Sequence, residues 1–144
     1  MSPEETIRLD YQVCFPLYVT SRMLTRAYQP LLDELGITYP QYLVLMVLWE
    51  KDGLTVNEIA HRLYLNTNTI TPLLKRMEKS DIISRKRSAE DERKVLITLT
   101  QKGNEMRESA YCIPEEIMKK MDLPLAEVIQ LKETLSKLIQ QMEA

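Results

Sequence analysis

The chain has 144 residues, 44% hydrophobic and 28% charged, with a net charge of −2, which suits one soluble globular domain or one subunit of a small oligomer. No run approaches the roughly 18 apolar residues of a transmembrane helix, and Met-Ser-Pro-Glu-Glu at the start lacks the features of a secretory signal, so a cytoplasmic protein with no membrane partner is expected. One histidine, His61, and two distant cysteines, Cys14 and Cys112, argue against structural zinc and against a permanent disulfide, and no metal or cofactor is expected.

The charge is unevenly spread. From His61 to Lys94 nine Lys/Arg stand against five acids, +4, which leaves −6 for the rest of the chain. A basic segment on an acidic body is the electrostatic footprint of local phosphate contact, although a solvated charged face would look the same.

From Ile7 to about Leu35 the apolar residues Leu9, Val13, Leu17, Leu24, Leu31 and Leu35 recur at helical spacings, and Pro16 is expected to kink or split that helix. Thr38-Tyr39-Pro40-Gln41 reads as a capping box with proline in the first turn. The run Tyr42–Trp49 is apolar on every side and predicts a buried central helix. Thr55-Val56-Asn57-Glu58 opens a short helix to about Tyr64. The polar stretch Leu65–Thr69 is a turn, and a second helix runs to about Lys79, its start delayed by Pro72. Two short helices joined this way form a helix-turn-helix.

Ile82–Ser88 and Arg93–Leu99 read as two strands joined by the polar loop Ala89-Glu90-Asp91-Glu92. A helix-turn-helix followed by such a hairpin is a winged helix. Thr100 caps a further helix to about Met121, bent at Pro114, and Pro124 opens the last one. Val128, Leu131, Leu135, Leu138 and Met142 alternate steps of three and four, the seam of a helix that packs on another. The fold expected is mainly α: a winged helix-turn-helix over residues 37–99 with a two-stranded β wing, and a helical dimerisation layer from residues 1–36 and 100–144.

In such a fold the second helix presents its N-terminal residues to base edges in the major groove. Here those are Asn66, Thr67, Asn68, Thr69 and Thr71, types able to read adenine and thymine, and also ordinary turn and cap residues. Lys75, Arg76 and Lys79 suit phosphates. Arg85, Lys86, Arg87, Arg93 and Lys94 arm the hairpin for backbone or minor groove.

The segments Leu73–Glu78, Ile83–Arg93 and Leu99–Gly103 resemble the MarR family, dimeric winged-helix transcription regulators of bacteria. Asp91-Glu92-Arg93 matches that family's wing signature, which implies that Asp91 orients arginines. The N-terminal half, from Cys14-Phe15 through Tyr28 to Leu35–Tyr42, is similar to the OhrR branch, repressors that sense organic hydroperoxides. That resemblance implies a peroxide-reactive Cys14 hydrogen-bonded by Tyr28 and Tyr39. The chain departs from the branch at Pro16.

Phenol O–H donors favour a thiolate, the form that attacks peroxides. Tyr18, four residues on, shares a helical face with Cys14. Tyr28 is about 21 Å further along a continuous helix, so it can reach only a partner's Cys14. The expected cycle is a reduced homodimer on an inverted-repeat operator of double-stranded DNA, oxidation of Cys14 to sulfenic acid, and release. The sulfenic acid then meets a low-molecular-weight thiol or Cys112, the latter equally readable as an ordinary helix residue. Two alternatives are a regulator that binds a small aromatic ligand, with Cys14 as packing, and a thiol peroxidase, which lacks a histidine or CxxC near Cys14.

Overall fold

In the computed structural model, which describes residues 1–143, the chain runs α1 (Pro3–Thr6), a 3-10 turn (Leu9–Tyr11), α2 (Cys14–Asp33), α3 (Tyr39–Glu50), β1 (Leu54–Thr55), α4 (Val56–Arg62), α5 (Thr67–Lys79), β2 (Ile83–Arg87), β3 (Val95–Leu99), α6 (Gln101–Ala110), α7 (Ile113–Met121) and α8 (Leu125–Glu143). Contacts divide it into two units, Met1–Ile113 and the residues from Pro114 on.

Helix boundaries follow side-chain caps. Thr38 accepts from the Gln41 amide at 3.4 Å, and Gln41 Oε1 accepts from the Thr38 amide at 3.0 Å, which closes the capping box. Thr55 Oγ1 accepts from the Glu58 amide, Asn66 Oδ1 from that of Thr69, and Thr100 Oγ1 from that of Gly103. Each satisfies an amide that the helix itself leaves unpaired.

The prolines act by position. Pro16 splits the helical pattern expected from Ile7, but it lies within the first turn of the longer piece, as the third residue of α2, which begins at Cys14. A helix continued from Ile7 would need the missing Pro16 N–H and would drive the ring into the Gln12 carbonyl, so the earlier residues form separate short turns. Pro72 lies inside α5 without delaying it. The Asn66 cap and the buried face of Ile70, Leu73, Leu74 and Met77 hold the first turn in place. Pro114 does not bend a long helix: α6 ends at Ala110, and Pro114 is the second residue of α7.

The core of the first unit forms around α3, whose Val44, Leu45 and Leu48 are almost wholly buried together with Leu32, Ile59, Ile70 and Leu74. The β2–β3 hairpin forms the expected two-stranded wing, and a short β1 adds a third strand to give an antiparallel sheet of order β1-β3-β2. The added strand is only two residues long and pairs Leu54 with Ile97 and Thr55 with Leu96. Two residues are too few to show alternation, which is why the sequence pattern does not reveal it. In the hairpin Ile83 pairs with Leu99 and Arg87 with Val95.

Both units expose apolar side chains. In the first they include Ile7, Leu9, Val13, Leu17, Tyr18 and Met23. In the second, α8 exposes Leu125, Ile129, Leu131, Leu138, Ile139 and Met142. None of the described α8 residues is buried, and of its seam Val128 and Leu135 are half-buried while Leu131, Leu138 and Met142 are exposed.

Candidate sensing site and nucleic-acid interface

Cys14 is the first residue of α2, exposed and unbridged. One turn on, the Tyr18 ring is also exposed and carries the Arg22 guanidinium 5.2 Å over its centre. Tyr28 sits near the other end of the same unbroken helix, about 21 Å away at 1.5 Å per residue. The chain therefore does not bring Tyr28 to its own Cys14.

It brings Tyr28 to Tyr39 instead. Their ring centres are 4.8 Å apart and tilted by 42°. Tyr42 completes the group at 5.9 Å from Tyr28 and 6.3 Å from Tyr39. Burial of its phenol, with smaller effects from Tyr39 and Tyr42, pushes the Tyr28 pKa up to about 12. Burial raises Tyr39 as well. These phenols therefore stay protonated, which keeps them hydrogen-bond donors over the whole physiological range. Tyr42 is raised by burial, then by Tyr39, then by Cys112. Cys112 thus lies close to the tyrosine group, exposed in the break between α6 and α7.

Sequence reasoning missed Tyr42 and Trp49. Trp49 stands edge-on to Tyr42 at 6.4 Å. Positions 39, 42 and 49 step by three and seven, one face of a helix. That signal was masked because every face of α3 is apolar.

The basic residues divide by what they touch. Thr67 and Asn68 are exposed at the start of α5, and Thr71 is half-buried. Asn66 is occupied as the cap, accepting from the Thr69 amide at 2.9 Å and from its hydroxyl at 3.1 Å. Lys75, Arg76 and Lys79 are exposed along the helix, as are Lys86, Arg87 and Lys94 on the wing. At the tip Asp91 Oδ1 accepts from the Arg93 amide at 3.0 Å and lies 3.9 Å from its Nε. The Arg93 side chain is 96% exposed. Arg87 donates to the Glu92 carbonyl at 2.9 Å, so the loop is fixed by its own arginines. Arg85 differs: it is turned inward, with Nε 3.4 Å from Glu78 of α5.

An exposed helix start, a basic helix and a wing with an outstretched arginine define a winged-helix nucleic-acid-binding protein. The SarA/Rot family of transcriptional regulators matches residues 26–109. The organic hydroperoxide resistance transcriptional regulator of Bacillus subtilis is 48% identical over 134 residues, 93% of this chain and 91% of that protein. AbfR of Staphylococcus epidermidis is 38% identical in its reduced, DNA-bound structure. That structure covers 99% of this chain and 100% of its own, with a TM-score of 0.79. Its disulfide form covers 97% and 93% with a TM-score of 0.64. MarR of E. coli, 22% identical, has the same fold, covering 88% of this chain and 96% of its own at a TM-score of 0.72. The chain belongs to the MarR family of winged-helix transcription regulators, and within it to the organic-hydroperoxide-responsive branch.

Proposed function

We propose that the protein is a dimeric cytoplasmic repressor. It holds an inverted-repeat operator while Cys14 is reduced and releases it when an organic hydroperoxide oxidises that thiol. The observation that carries this reading is the tilted pair Tyr28 and Tyr39 at 4.8 Å, set at the far end of the helix that Cys14 begins. The donors and the sulfur of one chain are too far apart to meet, and a second copy with α2 reversed brings each pair to the other's Cys14. The exposed apolar residues of α2 and α8 give such a copy surfaces to bury.

The chemistry is a single displacement. The Cys14 thiolate attacks a peroxide oxygen, an S–O bond forms and the O–O bond breaks. The alkoxide leaves as an alcohol after taking a proton, and the sulfur becomes a sulfenic acid. A second thiol then condenses with it, forming S–S and losing water. The position of Cys112 near Tyr42 supports it as that thiol, across the dimer. The disulfide form of AbfR supports the same outcome. The bases are read from Thr67, Asn68, Thr69 and Thr71, while Lys75, Arg76, Lys79, Lys86, Arg87, Arg93 and Lys94 take phosphates and the minor groove.

A gel shift on the DNA upstream of its own gene tests this, with and without cumene hydroperoxide. The wild-type complex is expected to dissociate and the Cys14→Ser complex to persist. Release of Cys14→Ser by peroxide would sink the proposal. Non-reducing mass analysis of the oxidised protein should show Cys14 joined to Cys112. A Cys112→Ser variant should instead collect a small-thiol adduct on Cys14 when such a thiol is added.

A further inference from the structure

The tyrosine group is not isolated from the DNA-reading head. Tyr42 is 3% exposed and packs against Tyr28 and Tyr39 on one side and Trp49 on the other. The Trp49 indole N–H donates to the Gly103 carbonyl at 3.0 Å. Gly103 in turn sits directly on the backbone of Ile82, where an added Cβ would lie 2.2 Å from the Ile82 oxygen. The same oxygen accepts from the Thr100 amide at 3.1 Å, and the Thr100 hydroxyl proton is shared between it at 3.0 Å and the Asp81 carbonyl at 2.7 Å. Ile82 lies in the short joint between α5 and β2, and its own amide donates to Met77 of α5.

We infer that Trp49 is a positioning residue that passes the state of the tyrosine group to the joint between recognition helix and wing. This rests on the peroxide-sensing reading above. Closely packed rings cannot shift singly. A change that moves Tyr28 or Tyr39 displaces Tyr42, and Tyr42 displaces the indole. The indole N–H is half-buried and cannot give up its acceptor without loss, so it carries Gly103 with it. With no Cβ between them, Gly103 and the Ile82 carbonyl move together, and Ile82 tilts the wing against α5. Such a path becomes physical only when both ends are shown to bias it, and Trp49 allows that measurement because it is the chain's one tryptophan.

The test uses the full-length protein, its upstream DNA and cumene hydroperoxide. Trp49→Phe keeps a ring against Tyr42 and removes the N–H. It should bind DNA in the reduced state within about threefold of wild type and oxidise at Cys14 to the same extent by mass. Its ratio of oxidised to reduced Kd should fall below about threefold, from a wild-type value within the 5–150-fold typical of coupled sites. In parallel, wild-type tryptophan emission should shift on oxidation, and emission from Cys14→Ser should not. If Trp49→Phe releases DNA as fully as wild type, the relay is wrong while the sensing reading stands. A lower melting temperature with an unchanged ratio counts against it equally. Should the variant fail to fold, unchanged wild-type emission under oxidation that does release DNA overturns the relay. If wild type itself keeps its DNA under peroxide, the sensing reading fails, and the relay falls with it for want of a signal.

Discussion

Arg85 of the wing strand β2 lies 3.4 Å from Glu78 on the recognition helix α5, and its Nε and Nη2 are buried without a hydrogen-bond acceptor among the described residues. The contact is ionic, not a formed hydrogen bond, and it joins the two elements that must grip DNA at a set angle. Replacing Glu78 by Gln leaves a partly desolvated guanidinium without its counter-charge. The expected loss is about 1–2 kcal/mol, between an exposed pair and a fully buried one. Replacing both residues, Glu78→Gln with Arg85→Met, should recover most of it, because the buried charge goes too. Urea midpoints of the two variants measure the difference.

The placement of Arg85 shows where the sequence stops being legible. Its neighbours Lys86, Arg87, Arg93 and Lys94 are exposed as the basic wing implies, and from sequence nothing separates Arg85 from them. Only the pleat of β2, with Arg85 opposite Ile97, turns it inward. Local rules read well: caps at Thr38, Thr55 and Thr100 mark the helix starts because each acts within three residues, whereas Asn66, read as part of a turn, caps a helix that starts earlier than expected. The fully apolar α3 is likewise legible as central. Proline effects are less so, since a proline ends, starts or merely interrupts a helix according to caps and packing elsewhere. The thiol site was half legible. The distance from Cys14 to Tyr28 follows from helical rise alone, whereas the closeness of Cys112 to Tyr42 depends on how α6 returns to α3.

Tyr64 stores backbone strain. It has φ of 56° at the end of α4, in a turn where the Leu65 amide reaches back to the Ala60 carbonyl, a position that usually takes glycine. Its ring is 62% exposed, so little packing compensates. Tyr64→Gly should relieve a left-handed cost of about 1–2 kcal/mol, less the entropy that glycine adds to the unfolded chain. A net gain of about 0.5–1 kcal/mol would raise the melting temperature by about 3 °C. A drop in melting temperature would show that the ring's contacts outweigh the strain.

Tyr28 makes stability depend on alkaline pH. Its folded-state pKa, about 12, lies above the ordinary 10, so the native state holds the proton longer than the unfolded chain. The associated stability is complete below about pH 10 and is lost as pH rises from 10 to about 12. Tyr28→Phe should flatten that fall in a series of urea midpoints, with Tyr39 and Tyr42, also raised by burial, leaving a residual slope. At neutral pH the same variant should slow Cys14 oxidation by about tenfold. In the proposed dimer it removes a donor to a charged sulfur, and such bonds contribute about 1.5–3 kcal/mol.

Arg93 and Arg85 should separate in the salt dependence of DNA binding. Each phosphate neutralised by a cationic side chain steepens the slope of log affinity against log salt by about −0.9. Arg93 is 96% exposed at the wing tip, steadied by Asp91, and the proposed dimer would bring two copies to one operator. Arg93→Ala should therefore flatten the slope by up to about 1.8. Arg85, turned toward Glu78, releases no counterions. Arg85→Met should lower affinity through wing geometry and leave the slope as it is. Equal slopes for wild type and Arg93→Ala would place that arginine away from the DNA backbone. A flattened slope for Arg85→Met would mean that it leaves Glu78 when DNA arrives.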